Sequence, residues 1–143
     1  MDTRFSETPG YLIHQLSRLI NREYDQRMSK LGLTRAQWWV LASLHFNNGV
    51  TQSELAAELG FSKAALGLTL DRLEKKGWLK RRLHPADRRA RCVFRTAKAS
   101  SMLERMHNIA LLMNKDLEAG LGSKERASLV RMLKVIRRNL NGE

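Results

Sequence analysis

The residues of this chain best suited to chemistry are basic, and they cluster in one stretch. Between Arg72 and Lys98 the sequence has eleven basic residues but only two acidic ones, Glu74 and Asp87. This stretch therefore carries most of the formal net charge of +12. One-sign charge on a short segment is typical of a surface that binds a polyanion, whereas an ordinary solvated surface carries both signs. The basic residues are Arg72, Lys75, Lys76, Lys80, Arg81, Arg82, Arg88, Arg89, Arg91, Arg95 and Lys98.

The second half of the basic stretch has the pattern of a β-hairpin. Two segments that can alternate, Leu79–His84 and Ala90–Arg95, flank a short turn. Pro85 fixes the φ angle that a type I turn requires, and Asp87 can bond to nearby backbone groups. The sequence therefore predicts a basic two-stranded hairpin.

Capping signals predict two helices at the start of the chain. Thr8 is an N-cap and Pro9 opens the first helix, which ends at Gly32. The capping box from Thr34 to Gln37 opens the second helix.

Two shorter helices are predicted directly before the hairpin. A capping box begins at Thr51 and its helix ends at Gly60, and Ser62 caps the next helix, which runs to Lys76. Two short helices joined by a tight turn form a helix-turn-helix. A basic hairpin directly behind such a pair is typical of a winged-helix DNA-binding module. The buried side of the second helix of the pair is Leu66, Leu70 and Leu73.

Helices are also predicted after the hairpin, with Ser123 as the cap of the last one. The terminal segments 1–32 and 97–143 carry more apolar residues than one buried stripe needs, while residues 33–96 form the winged module of one compact, mainly α chain. Because a small recognition unit gains affinity by doubling, we expect the terminal helices to form a symmetric homodimer. Packing on one another within a monomer is the alternative. The additional apolar residues are Leu12, Leu19, Leu111, Leu112, Val130, Met132 and Val135.

Other classes of function find little support. The single cysteine, Cys92, excludes an intramolecular disulfide framework, and without a signal peptide or long apolar run we expect a cytoplasmic, nucleoid-associated protein with no membrane partner. Cys92 has no histidine at catalytic spacing except His84, and no Gly-rich phosphate loop is present. We therefore expect no enzymatic activity, no cofactor and no metal, since the four histidines are scattered along the chain.

The order of these elements and three segments resemble the MarR family of bacterial transcription regulators. The segments are LTRAQWWVLASL at 33–44, QSELAAELGFSKAALGLTLDRLEKKGWLKR at 52–81 and HPADRRARCVFRT at 84–96. The resemblance implies a homodimer on a pseudo-palindromic operator, usually a repressor near its own gene. It also implies release by a small molecule, often an aromatic acid or a phenol; a CoA thioester remains open as well.

The helix that begins after Ser62 is expected to lie in the major groove of DNA. Its outward residues are Lys63, Ala64, Gly67, Leu68 and either Asp71 or Arg72, and the cap Ser62 is counted with them as a DNA-binding residue. Members of the family often carry Ser, Thr or Arg at the positions of Ala64, Ala65 and Leu68. Ala64 and Leu68 therefore suggest contact with thymine methyl groups, although Leu68 can equally be a second core contact.

The hairpin is expected to place Arg88 or Arg89 in a minor groove, where a narrow A·T-rich segment concentrates negative potential. Asp87 is expected to orient the hairpin by pairing with a neighbouring arginine such as Arg91. Lys80, Arg81 and Arg82 are interpreted as phosphate contacts. The family commonly has a leucine at the position of Arg95.

Four residues are candidates for a pocket that binds the small-molecule effector: His14, Arg18, Trp39 and His45. An aromatic effector needs flat apolar walls, and its carboxylate needs a cation. Trp38 shares a stripe with Leu41 and is interpreted as core instead. Two alternatives remain open: a thiol redox switch at Cys92, whose neighbours Arg91 and Arg95 favour the thiolate, and an architectural DNA binder without an effector.

Overall fold

The structure is a computed structural model that describes residues 3–142, as seven α-helices, two β-strands and a short 3₁₀ turn. The chain divides into two compact units, one ending at Ile109 and the other beginning at Ala110. No helix of the described residues is long and apolar enough to cross a membrane. The elements are α1 (Thr3–Ser6), α2 (Pro9–Ser29), α3 (Arg35–Phe46), α4 (Gln52–Leu59), α5 (Lys63–Lys75), β1 (Leu79–Leu83), β2 (Arg91–Arg95), the 3₁₀ turn Ala97–Ala99, α6 (Ser100–Leu117) and α7 (Ser123–Asn141).

The core of the first unit lies where α3, α4 and α5 meet the hairpin. The three leucines predicted for the buried side of α5 are all buried, and so is Trp38 of α3. Burying each such side chain contributes about 1.5–3 kcal/mol relative to leaving it in water, so this core fixes how α5 is held. The largest fully buried side chains are Leu41, Leu44, Leu55, Leu66, Leu70, Leu73, Leu79, Val40 and Val93.

Three helix starts follow their capping signals. The Thr34 and Thr51 hydroxyls accept hydrogen bonds from the Gln37 and Glu54 N–H groups, and both capping boxes are complete. The Ser62 hydroxyl accepts from the Ala65 N–H at 3.1 Å. Such caps satisfy donors that have no partner within the helix.

One predicted cap is in place and another is wrong. Thr8 is the N-cap of α2 and Pro9 is its first residue, as predicted, although the Thr8 hydroxyl donates to the Phe5 carbonyl of the unpredicted helix α1, at 2.9 Å, and bonds to no N–H of α2. Ser123 is the first residue of α7 and Gly122 is the cap, where the Glu125 carboxylate accepts from the Gly122 N–H at 2.7 Å. The first long helix ends at Ser29, three residues before Gly32, whose φ of +75° lies in the turn.

The hairpin forms as an antiparallel pair, in register from Leu79 opposite Arg95 to Leu83 opposite Arg91. The predicted strands were one residue longer at the turn. The loop before α4 joins the sheet because Val93 bonds to both Gly49 and Val50, at 2.9 and 2.8 Å. Gly49 has a φ of +90°, and a Cβ there would lie 2.8 Å from the Phe94 ring, so only glycine fits.

The second unit consists of the end of α6 and the whole of α7. No residue of α7 among those described is buried. Its apolar residues other than the partly buried Ile136 remain exposed, as do Leu111 and Leu112 of α6. An ion pair between Arg126 and Glu118, 3.1 Å long, joins α7 to the residue after α6.

Candidate nucleic-acid interface

Helix α5 presents the outward side that its spacing predicts. Lys63, Ala64, Leu68 and Arg72 are exposed, as is the cap Ser62, and Gly67 is partly exposed. Leu68 is 60% exposed, which excludes its alternative interpretation as a second core contact. The polar Thr69 lies on the buried side, where its hydroxyl donates to the Ala65 carbonyl at 3.1 Å.

Arg81 of β1 joins the hairpin to α5 through two carboxylates. Its Nη2 donates to Asp71 and to Glu74, each at 2.6 Å, and its Nε donates to Glu74 at 3.2 Å. The Glu74 carboxylate also accepts from the Arg81 backbone N–H at 3.3 Å. These hydrogen bonds, above all those that Glu74 accepts, raise the pKa of the Arg81 guanidinium above its ordinary value despite its partial burial.

Arg81 is therefore not placed as the phosphate contact that the sequence suggested. Its side chain is only 16% exposed, and both neighbouring carboxylates already compensate its charge. The arginine instead fixes the hairpin against α5. Asp71 and Glu74, three residues apart on one helix, lie on the same side of α5 and therefore reach the same guanidinium.

The tip of the hairpin is ordered by its own turn residues. The Asp87 carboxylate accepts from the Arg89 backbone N–H at 2.9 Å and from Arg89 Nε at 3.4 Å. Asp87 was expected to pair with a neighbouring arginine such as Arg91; the neighbouring arginine is Arg89, because a carboxylate in a turn easily reaches the N–H two residues ahead. Asp87 does orient the turn, while the Arg89 side chain stays 94% exposed.

Three further arginines of the hairpin face solvent. Arg88, Arg91 and Arg82 are exposed, and the Arg82 guanidinium lies 5.8 Å from the centre of the Phe94 ring. A concave cavity of about 250 Å³ separates the hairpin from the starts of α4 and α5. It is lined by Gln52, Ser53, Lys63, Leu66, Arg89, Ala90 and Arg91. Cations from the helix and from the hairpin thus line one concave surface.

The four expected effector residues have separate surroundings. Trp39 stacks on Phe61 with ring centres 6.0 Å apart, while His14 and Arg18 are exposed on α2. His45 is exposed and lies beside Phe46, with ring centres 5.1 Å apart. None of the four lines the cavity beside the hairpin.

Trp38 belongs to the core, as its stripe predicted. Its Nε1 donates to Asp25 of α2 at 3.0 Å, and its ring stacks on Tyr24. Arg35 also donates to the same carboxylate. This hydrogen bond from Arg35, helped by the one from Trp38, lowers the pKa of Asp25 despite partial burial.

The structure also supplies a reason for Arg95, which the sequence did not explain. Its backbone N–H donates to the Asn48 side chain at 2.9 Å, and its Nη1 donates to His45 Nδ1 at 3.2 Å. Because arginine has no acceptor, the imidazole nitrogen must accept. Arg95 therefore ties the base of the hairpin to the end of α3, which a leucine does not do.

Two observations bear on other kinds of site. Cys92 is only 5% exposed in β2. Among the described residues, no group of three or more His, Cys, Asp or Glu side chains lies close enough to hold a metal ion.

Known proteins share both the sequence and the fold of this chain. A sequence model described as the MarR family matches residues 31–90. The chain is similar to wild-type MarR from E. coli in its apo form, with 32% identity over 90% of this chain and 96% of that one and a TM-score of 0.79. The transcriptional regulator PA3341 is 35% identical over 94% of this chain and 98% of its own, with a TM-score of 0.82. A mutant MarR from E. coli, complexed with operator DNA, is 32% identical over 95% and 99% of the two chains, with a TM-score of 0.75.

Proposed function

Because the chain belongs to the MarR family of transcription regulators, we propose that it binds a pseudo-palindromic DNA operator as a symmetric homodimer. In this proposal α5 lies in the major groove, and the hairpin, which acts as the wing, lies in the adjacent minor groove. Such a regulator acts in the cytoplasm, on the nucleoid.

The observation that carries this proposal is the linkage of α5 to the wing through Arg81. Asp71 and Glu74 hold the guanidinium at 2.6 Å, so the two DNA-contacting elements are fixed relative to each other. The major groove and the adjacent minor groove of DNA lie at a set spacing, so α5 and the wing must be held at a matching distance to enter both. The cations that remain exposed on this pair of elements are Lys63, Arg72, Lys75, Lys80, Arg82, Arg88, Arg89 and Arg91.

Exposed apolar faces on the terminal helices support the homodimer. Leu129, Met132 and Leu133 of α7 are 39%, 49% and 45% exposed. Large contiguous apolar surfaces are rare on monomers and mark association sites. We therefore assign dimerisation to segments 1–32 and 97–143 and DNA binding to residues 33–96.

The experiment that tests the proposal is in vitro selection of duplexes from a random library, followed by affinity measurement on the selected duplex and on a scrambled duplex of equal length. We expect a two-fold symmetric selected sequence and an affinity at least about a thousandfold higher than for the scrambled duplex. Equal affinity for the two duplexes would identify an architectural binder and contradict the proposal.

Release of the operator by a small aromatic acid, a phenol or a CoA thioester is the finer part of the proposal, together with action as a repressor. What supports it is Trp39, a partly exposed aromatic side chain stacked on Phe61 beside the core. By linkage, a compound that weakens operator binding tenfold must itself bind the DNA complex about tenfold more weakly, a coupling of about 1.4 kcal/mol. Salicylate is the probe, and titrating it into free protein and into the DNA complex gives its two affinities, whose ratio is the coupling. Trp39→Ala should reduce this coupling.

Thiol control by Cys92 is not favoured, because a redox-sensing thiol needs access to the oxidant and this one is buried. We expect Cys92→Ser to leave operator binding and its response to peroxide unchanged. A peroxide-triggered release that Cys92→Ser abolishes would restore the redox alternative.

A further inference from the structure

The outward side of α5 has an unusual composition for a surface that reads DNA. Ala64, Ala65, Gly67 and Leu68 occupy it, and the exposed cations Lys63 and Arg72 lie at its two ends. The carboxylate of Asp71, further along the helix, is bound by Arg81. The middle of this side therefore has no free side chain that can hydrogen-bond to a base.

Leu68 lies at the centre of this side and is 60% exposed. A single exposed leucine needs no explanation on an ordinary surface. This one, however, lies between cations on the side of α5 that the proposed function turns toward the groove. Against the polar edge of guanine or cytosine a leucine would displace water and leave base acceptors or donors unpaired, at a cost in affinity. Against the C5 methyl group of thymine the same contact buries apolar surface on both partners.

Gly67 supports a close approach at the same place. A glycine in the middle of a helix is destabilising relative to alanine. Its φ is not positive, and a Cβ built on it meets no atom within 4 Å, so nothing inside the chain requires glycine here. A neighbour outside the chain, close to the helix backbone, does supply a reason.

We propose that Leu68, together with Ala64, is the specificity-determining contact of α5 and reads thymine C5 methyl groups in each half-site, with Gly67 giving the room for close approach. Hydrogen-bonded base readout then falls to Lys63 and Arg72 at the margins. This inference rests on the proposed function and adds the chemistry of the operator: each half-site places thymine methyl groups opposite the centre of α5.

The test replaces thymine by deoxyuridine, one position at a time, in the selected duplex. Deoxyuridine pairs as thymine does and lacks only the methyl group. For the unmodified protein we expect one or two sensitive thymines in each half-site, and loss of one contacted methyl should weaken binding about fourfold, the effect of leaving one buried carbon exposed.

Variants then assign the sensitivity to its side chain. Leu68→Ala should bind the thymine duplex more weakly and show a thymine-to-uracil affinity ratio near one, whereas Leu68→Met should keep most of the ratio. Leu83→Ala is the matched control, because Leu83 is 61% exposed but lies on the wing. It should keep the full ratio, and thermal melting verifies that each variant is folded.

Gly67→Ala separates close approach from helix stability. We expect a higher melting temperature, because alanine favours the helix, together with weaker operator binding. Unchanged operator affinity would show that nothing comes close to this backbone.

Each outcome decides one claim. If no thymine is sensitive, or if Leu68→Ala keeps the ratio of the unmodified protein, the methyl-reading proposal is wrong while the DNA-binding function stands. If selection recovers no preferred duplex, the proposed function itself fails, and this inference fails with it.

Discussion

At the scale of single residues, the wing combines one ordered carboxylate with an exposed guanidinium. Asp87 holds the Arg89 backbone N–H at 2.9 Å, while the Arg89 side chain extends into solvent. The helical period was sufficient to predict which residues of α5 face outward. It did not predict the partners of Asp87 and Arg81, because these depend on turn geometry and on the approach of a strand to a helix, which sequence spacing does not encode.

We predict that Arg89→Ala weakens operator binding by about ten- to a hundredfold, the range for losing hydrogen bonds made by a charged group. The melting temperature should hardly change, because the side chain is 94% exposed. Fluorescence anisotropy on the selected duplex and thermal melting measure the two effects. Arg105→Ala is the control, an exposed arginine of α6 outside the wing and α5. If Arg89→Ala unfolds the protein instead, Arg89 is structural.

At the scale of elements, side-chain hydrogen bonds between neighbouring elements hold the wing and α3 in place. Arg81 joins β1 to α5, Arg95 joins β2 to α3, and Asp25 joins α2 to α3. The sequence predicted the existence and type of the elements well, because capping boxes and the leucine stripe are local signals. Helix α1 was not predicted, since four residues are too few for a periodic pattern.

For the wing we predict that Arg81→Met lowers the free energy of unfolding by about 1–2 kcal/mol, because Asp71 and Glu74 lose a charged partner while remaining partly solvated. Operator affinity should fall as well, since the wing is no longer fixed to α5. Chemical denaturation and anisotropy give the two values. A variant with normal stability but weaker DNA binding would show that Arg81 contacts phosphate after all.

For α2 and α3 we predict a specific loss of stability in acid. The pKa of Asp25 is lowered in the folded protein, mainly by Arg35, so its contribution is complete above the unfolded value of about 3.9 and is lost as the pH falls through the lower folded value. At neutral pH, Asp25→Asn should therefore be less stable than the unmodified protein, and the difference should shrink below about pH 4. Denaturation at several pH values measures this difference, and a constant difference would contradict the assignment.

At the scale of the whole molecule, the exposed apolar faces matter most. The sequence predicted an excess of apolar residues on the terminal helices, and the structure leaves Leu12, Leu111 and Val130 exposed. The surface that would cover them belongs to a second chain. The apolar pattern of one sequence does not specify the geometry of an interface between two chains. The homodimer therefore stays a proposal.

We predict that Met132→Glu combined with Leu133→Glu shifts the protein toward single chains and weakens operator binding, because charge is costly in an apolar interface. Lys134→Glu is the control on the same helix and should leave the oligomeric state unchanged. Sedimentation velocity distinguishes one chain from two. A monomeric unmodified protein that still selects a two-fold symmetric duplex would contradict the assignment of these helices.

The salt dependence of operator binding tests the central claim most directly. A dimer that neutralises about six to ten phosphates should give a plot of log affinity against log salt with a slope of about −0.9 per contact, or roughly −5 to −9. Arg82→Ala removes one phosphate contact from each chain and should reduce the magnitude of the slope by about 2. A flat response of the unmodified protein would contradict DNA binding through this surface. A slope that is the same for Arg82→Ala, Arg89→Ala and the unmodified protein would contradict it too.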